Sequence, residues 1–179
     1  KRHTWDDSGL NCVIPNSVVQ GLIGHFYHCP DMVGGGSLNE LFDECFDTEL
    51  YIRWVQANAL CPMIQFSIAP WRVLSETQME ITKKMALLHE SFGEYILSLA
   101  HNAAVTGEPI MRHMSYEFPD EGFEEVDDCF MLGSEILVAP VLKKGQFKTK
   151  LRLPKGNWIA DDKAEYEGGK EIERHTPIE

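Results

Sequence analysis

The sequence predicts an α/β chain whose first two-thirds are β/α units on a parallel sheet and whose remainder is an antiparallel β domain built as a sandwich. Three observations carry this prediction. Up to about Pro109, short apolar runs alternate with longer segments of helical periodicity, the signature of strand-helix units. After Pro109 the pattern becomes a series of short strand-like runs. Gly133, Gly145 and the pair Lys155-Gly156 separate the later ones, as glycines that accept turn conformations do.

Leu22 to Cys29 reads as a buried strand, and Pro30 to Phe46, with Gly34-Gly35-Gly36 and several acids, as the long loop after it. Asp47 or Thr48 suits the N-cap of a helix through Leu50, Trp54, Ala57 and Leu60, and Met63 to Ile68 is a second strand. Ser75 with Gln78 forms a capping box, opening a helix over Glu76 to Val105. Its inner face carries Ile81, Met85, Leu88, Phe92, Tyr95 and Leu99, and Gly107 with Pro109 ends it. Strands are then expected over Ile110–Phe118, Cys129–Leu132, Ile136–Leu142, Lys148–Leu153 and Trp158–Ala160.

The balance of 28 acidic against 16 basic residues gives a net charge of −12, which repels a phosphate backbone and excludes nucleic acid as a partner. The apolar fraction of 44% is that of a packed chain, and no apolar run approaches the ~20 residues that span a bilayer. The start at Lys1 suggests excision from something longer. Five cysteines show neither a CxxC pair nor metal-ligand spacing with the histidines, so no metal or cofactor is expected and free or buried thiols are, with one or two disulfides in a secretory compartment as the alternative.

Asp31 follows the first strand, where parallel β/α enzymes place their ligand-binding loops. From position alone a ligand contact and a loop or cap aspartate are equally good readings. The Gly34–Gly36 run lacks the Lys-Ser/Thr of a phosphate loop and reads as a turn. Trp71, beside Pro70 after the second strand, is an open candidate for stacking on a sugar ring, whereas Trp54, at helical spacing, belongs to the core. His25 and His28 read as core or surface histidines, Asp6 and Asp7 as capping residues, and the acids from Asp120 to Asp128 as a solvated loop matching no calcium motif.

Five segments together resemble glycoside hydrolase family 31: PDMVGGG at 30–36, ELYIRWVQANALCP at 49–62, GEPIMRHMSYEFPDE at 107–121, FMLGSEILVAPVL at 130–142 and LPKGNW at 153–158. The resemblance implies that residues 1–112 are the C-terminal part of a (β/α)8 catalytic barrel and 113–179 the start of a C-terminal β-sandwich. It implies hydrolysis of terminal α-linked sugars with retention, by an aspartate nucleophile and an aspartate acid/base. Neither aspartate falls on this sequence: the acid/base position precedes Lys1, so no catalytic residue is assigned here.

By the same resemblance Asp31 is the D.GG carboxylate that binds hydroxyls in the cleavage subsite. Gln65 and Ser67 stand where the α-glucosidases carry an arginine and a histidine, and Trp71 completes the substrate-contact set. That exchange matches one branch of the family, with α-galactosidase-like activity and an upstream membrane anchor in the endoplasmic reticulum or nuclear envelope. The expected partner is therefore an oligosaccharide or glycoside. The alternative is a sugar-binding or regulatory relative without catalysis, and a fragment lacking both catalytic aspartates is expected to be inactive by itself.

Overall fold

The computed structural model describes residues 2–36 and 46–179. Cys45 and most of the loop expected over Pro30 to Phe46 lie outside the described residues.

The first helix, α1 (Val13–Leu22), has no counterpart among the elements expected from the sequence. It has no side-chain N-cap, and Pro15 sits in its first turn, where the missing N–H has no intrahelical acceptor to lose. Val13, Ile14, Ser17, Val18 and Gly21 form its buried face. Gly21 is required there, because a Cβ would stand 2.9 Å from the Met111 carbonyl oxygen. The strand expected over Leu22–Cys29 is absent. That apolar run is the end of α1 followed by a turn, with Gly24 left-handed (φ 91°) and Leu22 and Ile23 exposed. Leu22 and Ile23 therefore provide the apolar character of a strand without its burial.

Helix α2 (Thr48–Asn58) starts where predicted, with the Asp47 carboxylate accepting from the Leu50 N–H at 3.1 Å. Most of its residues are buried, including Arg53, Trp54 and Asn58. The second expected strand, Met63–Ile68, is reduced to an extended segment with one parallel bridge, Phe66 to Val33. After Val33 the chain turns away through the left-handed Gly34 and Gly35, and the Ser67 hydroxyl bonds that turn.

The Ser75–Gln78 capping box forms as expected, but the helix divides into α3 (Glu76–Ser91) and α4 (Gly93–Thr106). The Phe92 N–H turns back onto the Leu88 and His89 carbonyls, and the glycine after it does little to hold helical dihedrals through the break. Gly107 closes α4 left-handed at φ 79°.

The expected Ile110–Phe118 strand shortens to β1 (Met111–Arg112), because His113 then caps a one-turn helix, α5 (Met114–Glu117), by accepting from the Ser115 N–H. β1 pairs antiparallel with β2 (Phe130–Leu132), which pairs with β3 (Ile136–Val138). β4 (Lys148–Arg152) pairs with β7 (Glu171–His175), and β5 (Asn157–Ile159) with β6 (Glu165–Glu167), all antiparallel. β6 and β7 are not among the expected strands: their charged alternation, EYE and EIERH, carries little apolar signal.

Strand β2 separates two cores by its period of two. Phe130 and Leu132 join the large cluster formed with α1 to α4, while Met131 joins Met114, Phe123 and Cys129. Arg53 is 2% exposed and donates to the Gln146, Thr176 and Pro177 carbonyls, and Gln56 donates to Ile178, so helix α2 holds the C-terminal segment directly. Among the described residues no helix is long and apolar enough to cross a membrane, and Cys12, Cys29, Cys61 and Cys129 are free thiols.

Candidate functional site

The segments that carry Asp31 and Gln65 are joined by a parallel bridge between Val33 and Phe66. The Val33 N–H donates to the Gln65 carbonyl at 2.9 Å and the Ser67 N–H to the Val33 carbonyl at 3.0 Å, which sets the two segments side by side. Bridged residues of a parallel pair face the same way, so Val33 shares a side with Phe66 while Gln65 and Ser67, one residue to either side, point the other way. The Cys29 thiol lies 4.0 Å from Gln65 Oε1. Burial raises the Cys29 thiol above its usual range, and the Asp31 carboxylate adds to the effect, so this sulfur stays protonated as a weak donor.

Asp31 is half-buried. Its Oδ1 accepts from the Met32 N–H at 3.0 Å, which turns the carboxylate toward its own following amide. Its carbonyl accepts two side-chain donors from α2, Trp54 Nε1 at 3.2 Å and Asn58 Nδ2 at 2.9 Å. Asp31 also lines a cleft of about 500 Å³, with Asn16, Ser17 and Gln20 of α1 opposite Cys29 and Pro30.

Next to this carboxylate the chain makes a tight turn in which Gly34 (φ 95°) and Gly35 (φ 70°) are both left-handed. A Cβ on Gly34 would sit 3.0 Å from Ile68 Cδ1. Ser67 Oγ lies 3.0 Å from the Val33 carbonyl and 2.5 Å from that of Gly35, so its one proton is committed to the turn. The hydroxyl is left able only to accept from a ligand.

Gln65 and Ser67 are exposed. Trp71 lies in the 3-10 turn Pro70–Arg72 just beyond, 73% exposed, with its indole presented to solvent. Neither Gln65, Ser67 nor Trp71 lines the cleft beside Asp31.

The remaining polar residues singled out from the sequence have structural partners. Asp6 Oδ1 accepts from the Ser8 N–H and hydroxyl and from Thr4, and Asp7 accepts from Asn11, so both build a turn. His28 is 7% exposed, burial lowers its pKa, and Nδ1 lies 3.1 Å from the His25 carbonyl. Glu121 of the acidic run accepts from the Lys155 N–H, and among the described residues no group of His, Cys, Asp or Glu is arranged to hold a metal. Trp54 is core, as expected, but its N–H contact with Asp31 is not foreseeable from helical spacing. Sequence reasoning also passes over Asn58, although a polar residue one helical turn after a buried tryptophan is a readable signal.

Chemically, one carboxylate beside a glycine turn, a primary amide and an exposed indole are groups that hold a polyhydroxylated ring. Carboxylates and amides bond its hydroxyls, and the indole covers its C–H face. Such groups suit a carbohydrate-active protein, and comparisons with known proteins point to the same class. Residues 107–179 match the glycosyl hydrolase family 31 C-terminal domain model. The chain is 36% identical over 159 residues to the myogenesis-regulating glycosidase of Mus musculus, covering 85% of this chain and 22% of that protein. It is 30% identical over 184 residues to the SITS-binding protein of Tetronarce californica, covering 99% of this chain and 26% of that one. In three dimensions it resembles the GH31 dextranase of Flavobacterium johnsoniae solved with isomaltotriose, with a TM-score of 0.83 and 28% identity over 94% of this chain and 22% of that one. The chain belongs to glycoside hydrolase family 31. It spans about a quarter of the length of the curated relatives it matches.

Proposed function

We propose that the chain forms the substrate-contact end of a retaining α-glycosidase, in a longer polypeptide that supplies the nucleophile and the acid/base. In this reading residues 1–112 complete a (β/α)8 barrel and 113–179 begin the β-sandwich packed on it. The substrate is a terminal α-linked hexose of an oligosaccharide or glycoside, with α-galactosides preferred over α-glucosides. The observation that carries the reading is the half-buried Asp31 carboxylate, set beside the Gly34-Gly35 turn and bridged to the segment bearing Gln65. Asp31 accepts hydroxyls of the sugar, Gln65 offers a neutral amide, Ser67 holds the glycine turn and accepts from a hydroxyl, and Trp71 stacks on the ring. Retention requires two closely spaced carboxylates, and this chain contributes neither of them.

The preference for galactose rests on Gln65 and Ser67 in place of charged or longer groups. Galactose differs from glucose in an axial 4-hydroxyl, and a buried hydroxyl left unpaired costs ~1–3 kcal/mol. The polypeptide is placed, with an upstream anchor, in the lumen of the endoplasmic reticulum or nuclear envelope.

The test is hydrolysis of matched aryl α-galactoside and α-glucoside by a polypeptide of the relatives' length, with this chain alone as the control. We expect a higher kcat/KM on the galactoside and no turnover by the chain alone. Faster turnover of the glucoside would overturn the specificity. Asp31→Asn removes the charge and exchanges an acceptor for a donor, so kcat/KM is expected to fall roughly 10–100-fold. A second reading is sugar recognition without hydrolysis, and one relative, the SITS-binding protein, carries a name that states binding and no hydrolysis. This reading predicts glycoside binding by calorimetry with no turnover of either substrate.

A further inference from the structure

Asn58 is completely buried, yet its side chain makes a single hydrogen bond among the described residues, from Nδ2 to the Asp31 carbonyl at 2.9 Å. Its Oδ1 is buried and accepts nothing among those residues. A buried amide with an unpaired oxygen is a poor contribution to stability, since an apolar side chain of the same shape would carry no desolvation cost. Trp54, one turn earlier on α2 and also completely buried, aims its indole N–H at the same carbonyl from 3.2 Å. Two donors from successive turns of one rigid helix therefore converge on a single backbone oxygen of an otherwise extended segment.

That oxygen belongs to the residue proposed to contact the sugar. A carbonyl held by two donors fixes the peptide plane after Asp31, and with it the Met32 N–H that bonds Asp31 Oδ1 at 3.0 Å. Fixing that plane fixes the carboxylate. We propose that Trp54 and Asn58 are positioning residues that hold the Asp31 carboxylate in its substrate-binding geometry, and that Asn58 is kept in the core for this purpose at the expense of stability. The inference rests on the sugar-contact reading of Asp31 and extends it to residues that no sugar touches.

The experiment uses two variants of the longer polypeptide. Trp54→Phe deletes the N–H while keeping a ring in the core, and Asn58→Leu replaces the amide with an apolar group of similar size. Both are expected to lower kcat/KM on the α-galactoside roughly 10–100-fold, mainly through kcat, because displacing a substrate-orienting group costs transition-state binding. Thermal melts should show Asn58→Leu equal to or above the parent, whereas Trp54→Phe is lowered by the cavity it leaves in the core. In Asn58→Leu, activity and stability moving in opposite directions separates positioning from a merely structural role. Unchanged kcat/KM, or losses that track a falling melting temperature in both variants, would overturn the proposal. If the parent hydrolyses neither glycoside, the functional reading fails and a crystal structure of Asn58→Leu in this chain decides the geometry. An Asp31 carbonyl displaced by ~0.5 Å or more supports the proposal, and an unmoved one refutes it.

Discussion

At the scale of single residues, Asp47 shows how one side chain serves several elements. It caps α2 through the Leu50 N–H, accepts from Trp5 Nε1 at 3.0 Å and pairs with Lys144 Nζ at 2.7 Å. Burial opposes ionisation of this carboxyl, but the hydrogen bonds from Lys144, Trp5 and Leu50 together hold its pKa below the ordinary value. A carboxyl depressed in the folded state stabilises above its unfolded pKa, and the stabilisation is lost as pH falls through the lower folded value. Asp47→Ala is therefore expected to cost about 1–2 kcal/mol in a urea melt at neutral pH. The difference from the parent should shrink below about pH 4, where the parent loses the same contribution. A deficit that stayed constant down to about pH 2 would show that the charge has no part in it.

At the scale of elements, two glycines carry opposite expectations. Gly93 opens α4 with nothing within 4 Å of where a Cβ would stand and no left-handed φ. Gly93→Ala should raise stability by roughly 0.5–1 kcal/mol, by restricting the unfolded chain and favouring the helix. Gly34 combines φ 95° with contact against Ile68, so Gly34→Ala should cost at least ~1–2 kcal/mol. That loss should come with weaker glycoside binding, since the turn adjoins Asp31. Paired denaturation curves would check both signs.

At the scale of the molecule, α2 links the candidate site to the C-terminal strands. One side of the helix bonds Asp31 through Trp54 and Asn58, and another bonds the segment at 176–178 through Arg53 and Gln56. Burial lowers the Arg53 pKa, and the Glu49 charge partly restores it. The guanidinium is the main donor to three carbonyls that lie far from it in sequence. Arg53→Leu is expected to destabilise by ~3 kcal/mol or more and to speed amide exchange at Thr176, whose N–H bonds the Phe147 carbonyl. Unchanged exchange at that amide would mean the segment is held by β7 alone.

The family, an N-cap for α2 at Asp47 or Thr48, the Ser75–Gln78 box, the Gly107 stop and the strands β2 to β5 of the C-terminal part were legible in the sequence. Caps, turns and amphipathic periods are local properties, written within a few residues of where they act. The parts that could not be read depend on what lies across the fold. Leu22 to Cys29 has a strand's apolarity but spans a helix end and a left-handed glycine, so composition alone named the wrong element. β6 and β7 are charged on alternate residues and become strands only because partners with matching edges exist. Asp31 and Gln65 were named from the chain, yet that their segments lie side by side depends on a bridge between Val33 and Phe66. That Ser67 spends its proton on a glycine turn, and that Asn58 reaches the Asp31 carbonyl, are facts of hydrogen-bond direction. Direction is set by the packing of distant segments, which tertiary structure alone decides.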